Sequence, residues 1–427
     1  MNIQNIHDLF VKCSTVSIDT RKIGPNSFFV AIKGEKFDAN TFANEALEKG
    51  ARYVVIDNAD YFIDERTILV NDSLKTLQGL AKFHRQFLQL PIIALTGSNG
   101  KTTTKELINV VLSKKYNTKA TIGNLNNHIG VPLTLLSFTK ETQIGIVEMG
   151  ANHQKEIEFL CDIAQPDYGY ITNFGKAHLE GFGGVEGVIK GKSEMYAFLM
   201  ANDKSVFVNL DDELQIQKTE QLHRITFSQK NKNVNVFVDE VTANPFVTIK
   251  TLGIEINSHL IGLYNANNIN AAITIGNHFE VPNNDIKAAI ESYIPENNRS
   301  QLLTKGSNEI ILDAYNANPS SMLVVLENFI QLDKDNKIVI IGDMYELGNE
   351  SLSEHKAIVE FLNQNSNFEC HFVGKDFFAN TVEKENFYFY QTFEDYVKKL
   401  SSIKFENKTL LIKGSRGMAL ERVLDYL

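Results

Sequence analysis

Short apolar runs and stretches of helical spacing alternate along most of this 427-residue chain. In residues 1–90 the runs Ser27-Phe-Phe-Val-Ala-Ile32, Tyr53-Val-Val-Ile56 and Ile68-Leu-Val70 predict strands. Ser73 to Leu90 carries apolar residues at helical spacing and leads into Pro91, a first boundary. From 91 onward strands and helices alternate, which predicts a parallel sheet with crossover helices. Residues 205–260 differ: Val234 to Asp239 and Phe246 to Ile256 alternate at period two, predicting an antiparallel edge or subdomain. Helical runs at 265–279 and 284–293 lead to the polar stretch Pro295-Glu-Asn-Asn-Arg299, a second boundary. Residues 300–427 resume the βα pattern through Glu309–Asp313, Lys337–Gly342, His371–Gly374 and Thr409–Lys413. The expected architecture is α/β in three domains, 1–90, 91–297 and 298–427.

Composition narrows the class without naming an activity. A hydrophobic share of 43% with 22% charged residues suits ordinary globular domains, and the net charge of −10 argues against a nucleic-acid partner. Cys13, Cys161 and Cys370 are far apart and show no metal-binding spacing, so free thiols in a reducing cytoplasm are expected. The start, Met1 to Phe10, has neither the basic residues nor the apolar core of a signal peptide, and no run approaches a membrane span.

Chemistry concentrates where predicted strands end. Thr96-Gly-Ser-Asn-Gly-Lys-Thr-Thr-Thr104 follows the apolar run Pro91–Leu95 and precedes a helix predicted over Lys105–Leu112. Backbone N–H groups of Gly97, Ser98, Asn99 and Gly100, with the helix start, suit a polyphosphate. Lys101 would reach the β/γ-phosphates, and the Thr102 hydroxyl, beside Thr103, would hold magnesium. The spacing departs from the common phosphate loop, since Leu95 stands where the first glycine is usual. Glu148 ends another apolar strand, as a metal ligand or a salt-bridged residue. The ends at Leu95–Gly97, Ile146–Gly150 and Tyr170–Gly175 should face one crevice. Thr172-Asn-Phe-Gly-Lys-Ala-His-Leu-Glu-Gly-Phe-Gly-Gly184 holds four glycines, with His178 and Glu180 placed for metal or substrate, or simply solvated. Lys192 on a following helix reads by default as a surface residue; carbamylation by CO2 would make it an anionic ligand for a hard metal. Asn265 and Asn268 share one helix face, where their amides suit an adenine edge or ribose, capping by Asn265 being the alternative.

Together these stretches resemble the ATP-dependent Mur ligases of peptidoglycan synthesis, with the likeness running from Asp19 to Arg416. Gly123 to Leu136, Asp313-Ala-Tyr-Asn-Ala-Asn-Pro319, Gly342-Asp-Met-Tyr-Glu-Leu-Gly348 and Lys413-Gly-Ser-Arg416 narrow it to the branch whose incoming amine is D-alanyl-D-alanine. The resemblance implies a UDP-sugar-peptide domain, a central ATPase and a Rossmann-like amine-binding domain. It implies two magnesium ions, the first on Thr102 and Glu148, the second on His178 and carbamylated Lys192. It places Lys101 on the transferring phosphoryl, Asn265, Asn268, Arg299 and Asp313 on the nucleotide, and Tyr315, Asn316, Asn318 and Ser320 toward the dipeptide. UDP-N-acetylmuramoyl-tripeptide would meet Asp19, Thr20, Arg21 and Gly34, with Asn124, Asn126 and Asn127 also on the substrate, in a monomer. Two departures stand out: Asp38-Ala-Asn40 replaces the commoner Asp-Gly-His, and Asn298-Arg299-Ser300-Gln301 the usual Gly-Arg. A sister amide ligase, either the third-residue Mur ligase or folylpolyglutamate synthase, would differ at Tyr315–Pro319. A nucleotide-dependent switch would not need the metal set at Glu148, His178 and Lys192.

Overall fold

The computed structural model describes residues 1–296, 298–400 and 405–427, so residue 297 at the second predicted boundary lies outside the described residues. Three sheets organise the chain. The first contains β1 (Thr15–Ser17), β2 (Ser27–Val30), β3 (Ala51–Ile56) and β4 (Thr67–Leu69), parallel and in that order. A helix over Ser73–Leu88 then crosses to the central sheet. Asp72 caps its start by accepting from the Lys75 N–H, and Gln89 ends it in left-handed backbone. Its buried face, Leu77, Leu80, Ala81 and His84, packs against helices Gly130–Leu136 and Glu156–Ala164. The helix thus joins two sheets, although its sequence reads as part of the first.

The central sheet holds β5 (Ile92–Thr96), β6 (Thr118–Ala120), β7 (Ile144–Glu148), β8 (Tyr168–Ile171), β9 (Ser205–Asn209), β10 (His223–Ser228), β11 (Val236–Ala243), β12 (Phe246–Thr251) and β13 (Ile254–Ile261). Their spatial order is β13-β12-β11-β10-β9-β8-β5-β7-β6. Every residue of β5 and β7 is buried, as expected for parallel strands covered by helices on both faces. The stretch read as a single alternating run from Phe246 to Ile256 is two strands folded back at Leu252-Gly253. Both turn residues have positive φ, +51° and +73°, the conformation of a two-residue hairpin. Across such a loop residues three apart share a face, so the buried positions switch from odd (Val247, Ile249, Thr251) to even (Ile256, Ser258, Leu260), a change of phase that a single alternating run does not describe. The antiparallel part is an edge of the main sheet, because β11 runs parallel to β10.

The third sheet runs β14 (Gln301–Lys305), β15 (Asn308–Asp313), β19 (Thr409–Lys413), β16 (Lys337–Gly342), β17 (Glu369–Val373) and β18 (Phe387–Tyr390) in space. Only β14 is antiparallel. Strands β14 and β18 were not expected; both are short edge strands, β14 mixing polar and apolar residues and β18 the short aromatic run Phe387-Tyr-Phe-Tyr390. The carboxyl ends of β5, β7 and β8 and those of β15 and β19 line one crevice of about 1280 Å³.

Candidate active site

The loop after β5 needs glycine at two positions. Gly97 has φ +144°, and a Cβ there would fall 1.9 Å from the Thr172 hydroxyl; at Gly100 (φ +79°) it would fall 2.5 Å from Asn268 Oδ1. The chain after β8 splints the loop: Ser98 N donates to Asn173 O at 3.1 Å and Asn99 N to Asn173 Oδ1 at 3.0 Å. Thr172 Oγ1 donates to Asn99 O at 2.6 Å. Thr172 and Asn173 were part of a quoted motif but carried no expected role; their place one residue beyond a strand end was the available signal. The helix begins at Lys101, four residues before the expected start, and Gly100 leaves its first N–H groups without a side-chain cap. These free donors point where an anion would sit.

Lys101 Nζ folds back to donate to Gly97 O at 2.7 Å; burial pushes its pKa down while the Glu148 charge opposes that. Glu148 is 2% exposed and takes part in no ion pair among the described residues, so the salt-bridge reading falls. It accepts instead from Thr102 Oγ1 at 2.9 Å and from Asn126 Nδ2 at 2.8 Å. Nearby, Asn127 Oδ1 caps the turn at Ile129 and Gly130, and Asn124 also lines the crevice.

Lys192 is 1% exposed, which overturns the default expectation of a surface lysine. Helix Val185–Ala201 buries Val188, Lys192, Met195 and Leu199 on one face. The Lys192 ammonium lies 5.1 Å from the Phe182 ring centroid and donates to Ala151 O at 3.4 Å. Burial first, then the Lys101 charge, hold its pKa well below the usual lysine range. His178, in left-handed backbone at φ +53°, lines the crevice and hydrogen-bonds through Nδ1 to the Glu346 carboxylate. Glu180 is not among the residues lining the crevice; its N–H donates to Glu346 O at 3.3 Å. Among the described residues no three His, Cys, Asp or Glu side chains gather into a ready-made metal cage.

Asn265 makes no cap bond, so that alternative falls. Asn268 Nδ2 donates to Asn265 Oδ1 at 2.9 Å, and Thr104 Oγ1 donates to Asn268 Oδ1 at 3.0 Å. The pair therefore buttresses Gly100 while forming a crevice wall. From the third sheet, the Arg299 guanidinium lies 3.6 Å from the Tyr315 ring centroid. Asp313 accepts from Lys413 Nζ at 2.5 Å and from Ser300 N at 3.0 Å. Lys413 is a buried site residue to which the sequence assigned no role; its position at a strand end beside a Gly-Ser turn was the clue. Asn316 is exposed, whereas Asn318 is the buried cap of helix Pro319–Gln331 and donates to Asn99 Oδ1 at 2.7 Å. Ser320 Oγ accepts from Lys176 N at 2.7 Å.

Asp19, Thr20, Arg21 and Gly34 do not line this crevice; they lie beyond the carboxyl ends of β1 and β2. Arg21 grips Asp19 through two nitrogens and holds its carboxyl down near a pKa of about 2. Asn40, at the departure Asp38-Ala-Asn40, is fully buried and exchanges hydrogen bonds with Asp57 at 2.7 and 3.0 Å. It ties the short turn Ala39–Phe42 to the end of β3.

A glycine loop, a Thr–Glu pair beside it and a facing third domain define a nucleotide-dependent ligase fold, and the chain belongs to the Mur ligase family. Residues 12–85 match the Mur ligase family catalytic domain, 95–276 the Mur ligase middle domain and 298–416 the Mur ligase glutamate ligase domain. Within that family it is 32% identical, over 96% of its length and 92% of the relative's, to the UDP-N-acetylmuramoyl-tripeptide–D-alanyl-D-alanine ligase of Bacillus subtilis. Its fold superposes on MurF from Acinetobacter baumannii with a TM-score of 0.87 at 28% identity, covering 99% of this chain and 98% of the other. It also matches MurF from Thermotoga maritima, solved in complex with ADP, with a TM-score of 0.84 at 25% identity, covering 98% and 97%. No helix among the described residues is long and apolar enough to cross a membrane.

Proposed function

We propose that this chain joins D-alanyl-D-alanine to UDP-N-acetylmuramoyl-tripeptide with ATP hydrolysed to ADP and phosphate, in the cytoplasmic phase of peptidoglycan synthesis. The observation that carries this reading is the single crevice between the glycine loop with Thr102 and Glu148 and the facing Asp313-Ala-Tyr-Asn-Ala-Asn-Pro319. A carboxylate is a poor acyl donor, so its oxygen first takes the γ-phosphoryl group. The dipeptide amine then attacks the acyl carbon, and phosphate leaves with the C–O bond electrons. Positioning and charge neutralisation supply most of the acceleration. Lys101 meets the transferring phosphoryl, and the free N–H groups at the helix start meet the remaining phosphate oxygens.

The donor set suits magnesium: buried hard oxygens on Thr102 and Glu148, with water and phosphate completing the shell. Bound there, magnesium supplies neutralisation of phosphate charge. We assign a second ion to His178 and carbamylated Lys192. Supporting this, Lys192 is buried without an acidic partner within hydrogen-bond reach, so its amine is held toward the neutral form that attacks CO2. The new N–C bond forms as a proton leaves, giving an anionic oxygen donor. Asn265, Asn268, Arg299 and Asp313 are assigned to the nucleotide, and Asn316 with Tyr315 to the dipeptide.

The test is phosphate release from ATP with UDP-muramoyl-tripeptide, with and without D-alanyl-D-alanine. Sustained turnover should require all three substrates. Equal turnover with a single amino acid in place of the dipeptide would refute the assignment of acceptor.

A further inference from the structure

Glu346 reaches His178 from a different domain, and both residues sit in left-handed backbone, at φ +64° and +53°. That backbone region carries a steric cost for any residue with a Cβ. The surroundings here are specific. The loop carrying Glu346 starts at Asp343, which accepts from Asp376 N at 3.1 Å and Phe377 N at 3.0 Å. Met344 N donates to buried His355 Nε2 at 2.9 Å, and Tyr345 N to Ser415 Oγ at 2.9 Å. Glu346 O accepts from Glu180 N at 3.3 Å, so backbone and side chain both engage the His178 loop. The Glu346 side chain is 53% exposed, and an ion pair so open to water contributes little stability. Stability alone therefore does not account for this much construction.

We propose that Glu346 is the positioning residue of His178: a third-domain carboxylate that fixes the imidazole's tautomer and leaves Nε2 as its metal-binding atom. The inference rests on the reading of His178 as a magnesium ligand, given above. An outer carboxylate of this kind orients a ligating histidine and raises its basicity, and losing one lowers metal affinity 10–100-fold. Because Glu346 arrives only with the third domain, closure and metal binding favour one another by the same factor.

The experiment titrates full-length protein with Mn2+, following free Mn2+ by electron paramagnetic resonance, in the presence of a non-hydrolysable ATP analogue and UDP-muramoyl-tripeptide. Glu346→Ala should weaken the second Mn2+ about tenfold. Glu346→Gln, which keeps an acceptor oxygen, should recover part of the loss. Glu354→Gln breaks another contact between the same domains, Lys176 Nζ to Glu354 Oε1 at 2.5 Å, and, acting through closure alone, should weaken Mn2+ several-fold less than Glu346→Ala. Equal weakening by Glu346→Ala and Glu354→Gln would reduce Glu346 to a latch and overturn the proposal. His178→Ala weakening Mn2+ while Glu346→Ala does not would overturn it and spare the metal reading. His178→Ala without effect would overturn both.

Discussion

At the scale of single residues, the proposed chemistry rests on two lysines, Lys101 half-buried in the glycine loop and Lys192 fully buried. Lys101 is anchored to its own loop, whereas Lys192 meets a carbonyl and a ring face, with the Lys101 charge opposing its ammonium and the more distant Glu156 and Glu194 favouring it. A buried ammonium so placed is disfavoured, and converting it to a carbamate replaces a cation repelled by Lys101 with an anion attracted to it. Lys192→Ala should therefore lose about 10²–10³ of kcat, the range for removing one charge-stabilising group. Millimolar acetate should restore part of it, while Lys192→Arg, which cannot be carbamylated, should stay inactive. Full activity of Lys192→Ala without additive, measured by phosphate release, would return the residue to a packing role.

At the scale of elements, the start of helix Pro319–Gln331 separates two residues that look equivalent in sequence. Asn318 is spent on a reciprocal cap with Ser321 and on the bond to Asn99. Among the described residues the Asn316 amide N–H has no partner, and its Oδ1 accepts from Ala317 N at 2.9 Å. Asn316→Ala should raise the KM for D-alanyl-D-alanine about tenfold with little change for ATP. Asn318→Ala should instead lower stability by about 1 kcal/mol, as loss of a cap does, and weaken ATP as well. Steady-state kinetics with a thermal melt distinguishes the two; a pure dipeptide effect in Asn318→Ala would contradict the cap assignment. The same helix start explains what the sequence made legible. Strand-ending motifs are local, so Thr96–Thr104, Glu148 and Asp313–Pro319 announce themselves, and parallel strands bury whole apolar runs. Burial of Lys192 and the partners of Asn318 depend on residues 41 and 219 positions away, and no local pattern encodes them. The hairpin at Leu252-Gly253, by contrast, is written in the local pattern, as a glycine and a shift of the apolar positions from odd (Val247, Ile249) to even (Ile254, Ile256) that a single-strand reading passes over.

At the scale of the molecule, two seams join three domains and differ in kind. Between the first and second, His7 Nε2 donates to His84 Nδ1 at 2.9 Å, and His84 Nε2 to Phe138 O at 2.9 Å, all within packed aromatic rings. This relay needs both rings neutral, and burial lowers both, His7 to about 4. A depressed histidine pKa means the unfolded chain takes up the protons. The contribution is complete above about pH 6.5 and fades as pH falls toward 4. Wild-type Tm should drop steeply across that window, and the drop should be shallower in His7→Leu; parallel profiles would dismiss the relay. Beside it, Arg85 bonds Asp167 at 2.7 Å over the apolar face of the connecting helix. Between the second and third domains the bonds include Lys176–Glu354, His178–Glu346, Asn99–Asn318, Tyr264–Ser300 and Lys176 N to Ser320 Oγ, all polar groups for which water is a fair substitute. The bonds of the first seam lie among packed rings, and those of the second are polar. A joint made of such bonds is a place where a spent nucleotide can be let go: if its opening paces turnover, kcat should fall as glycerol or sucrose thickens the solvent, and a kcat indifferent to viscosity would place the slow step in the chemistry.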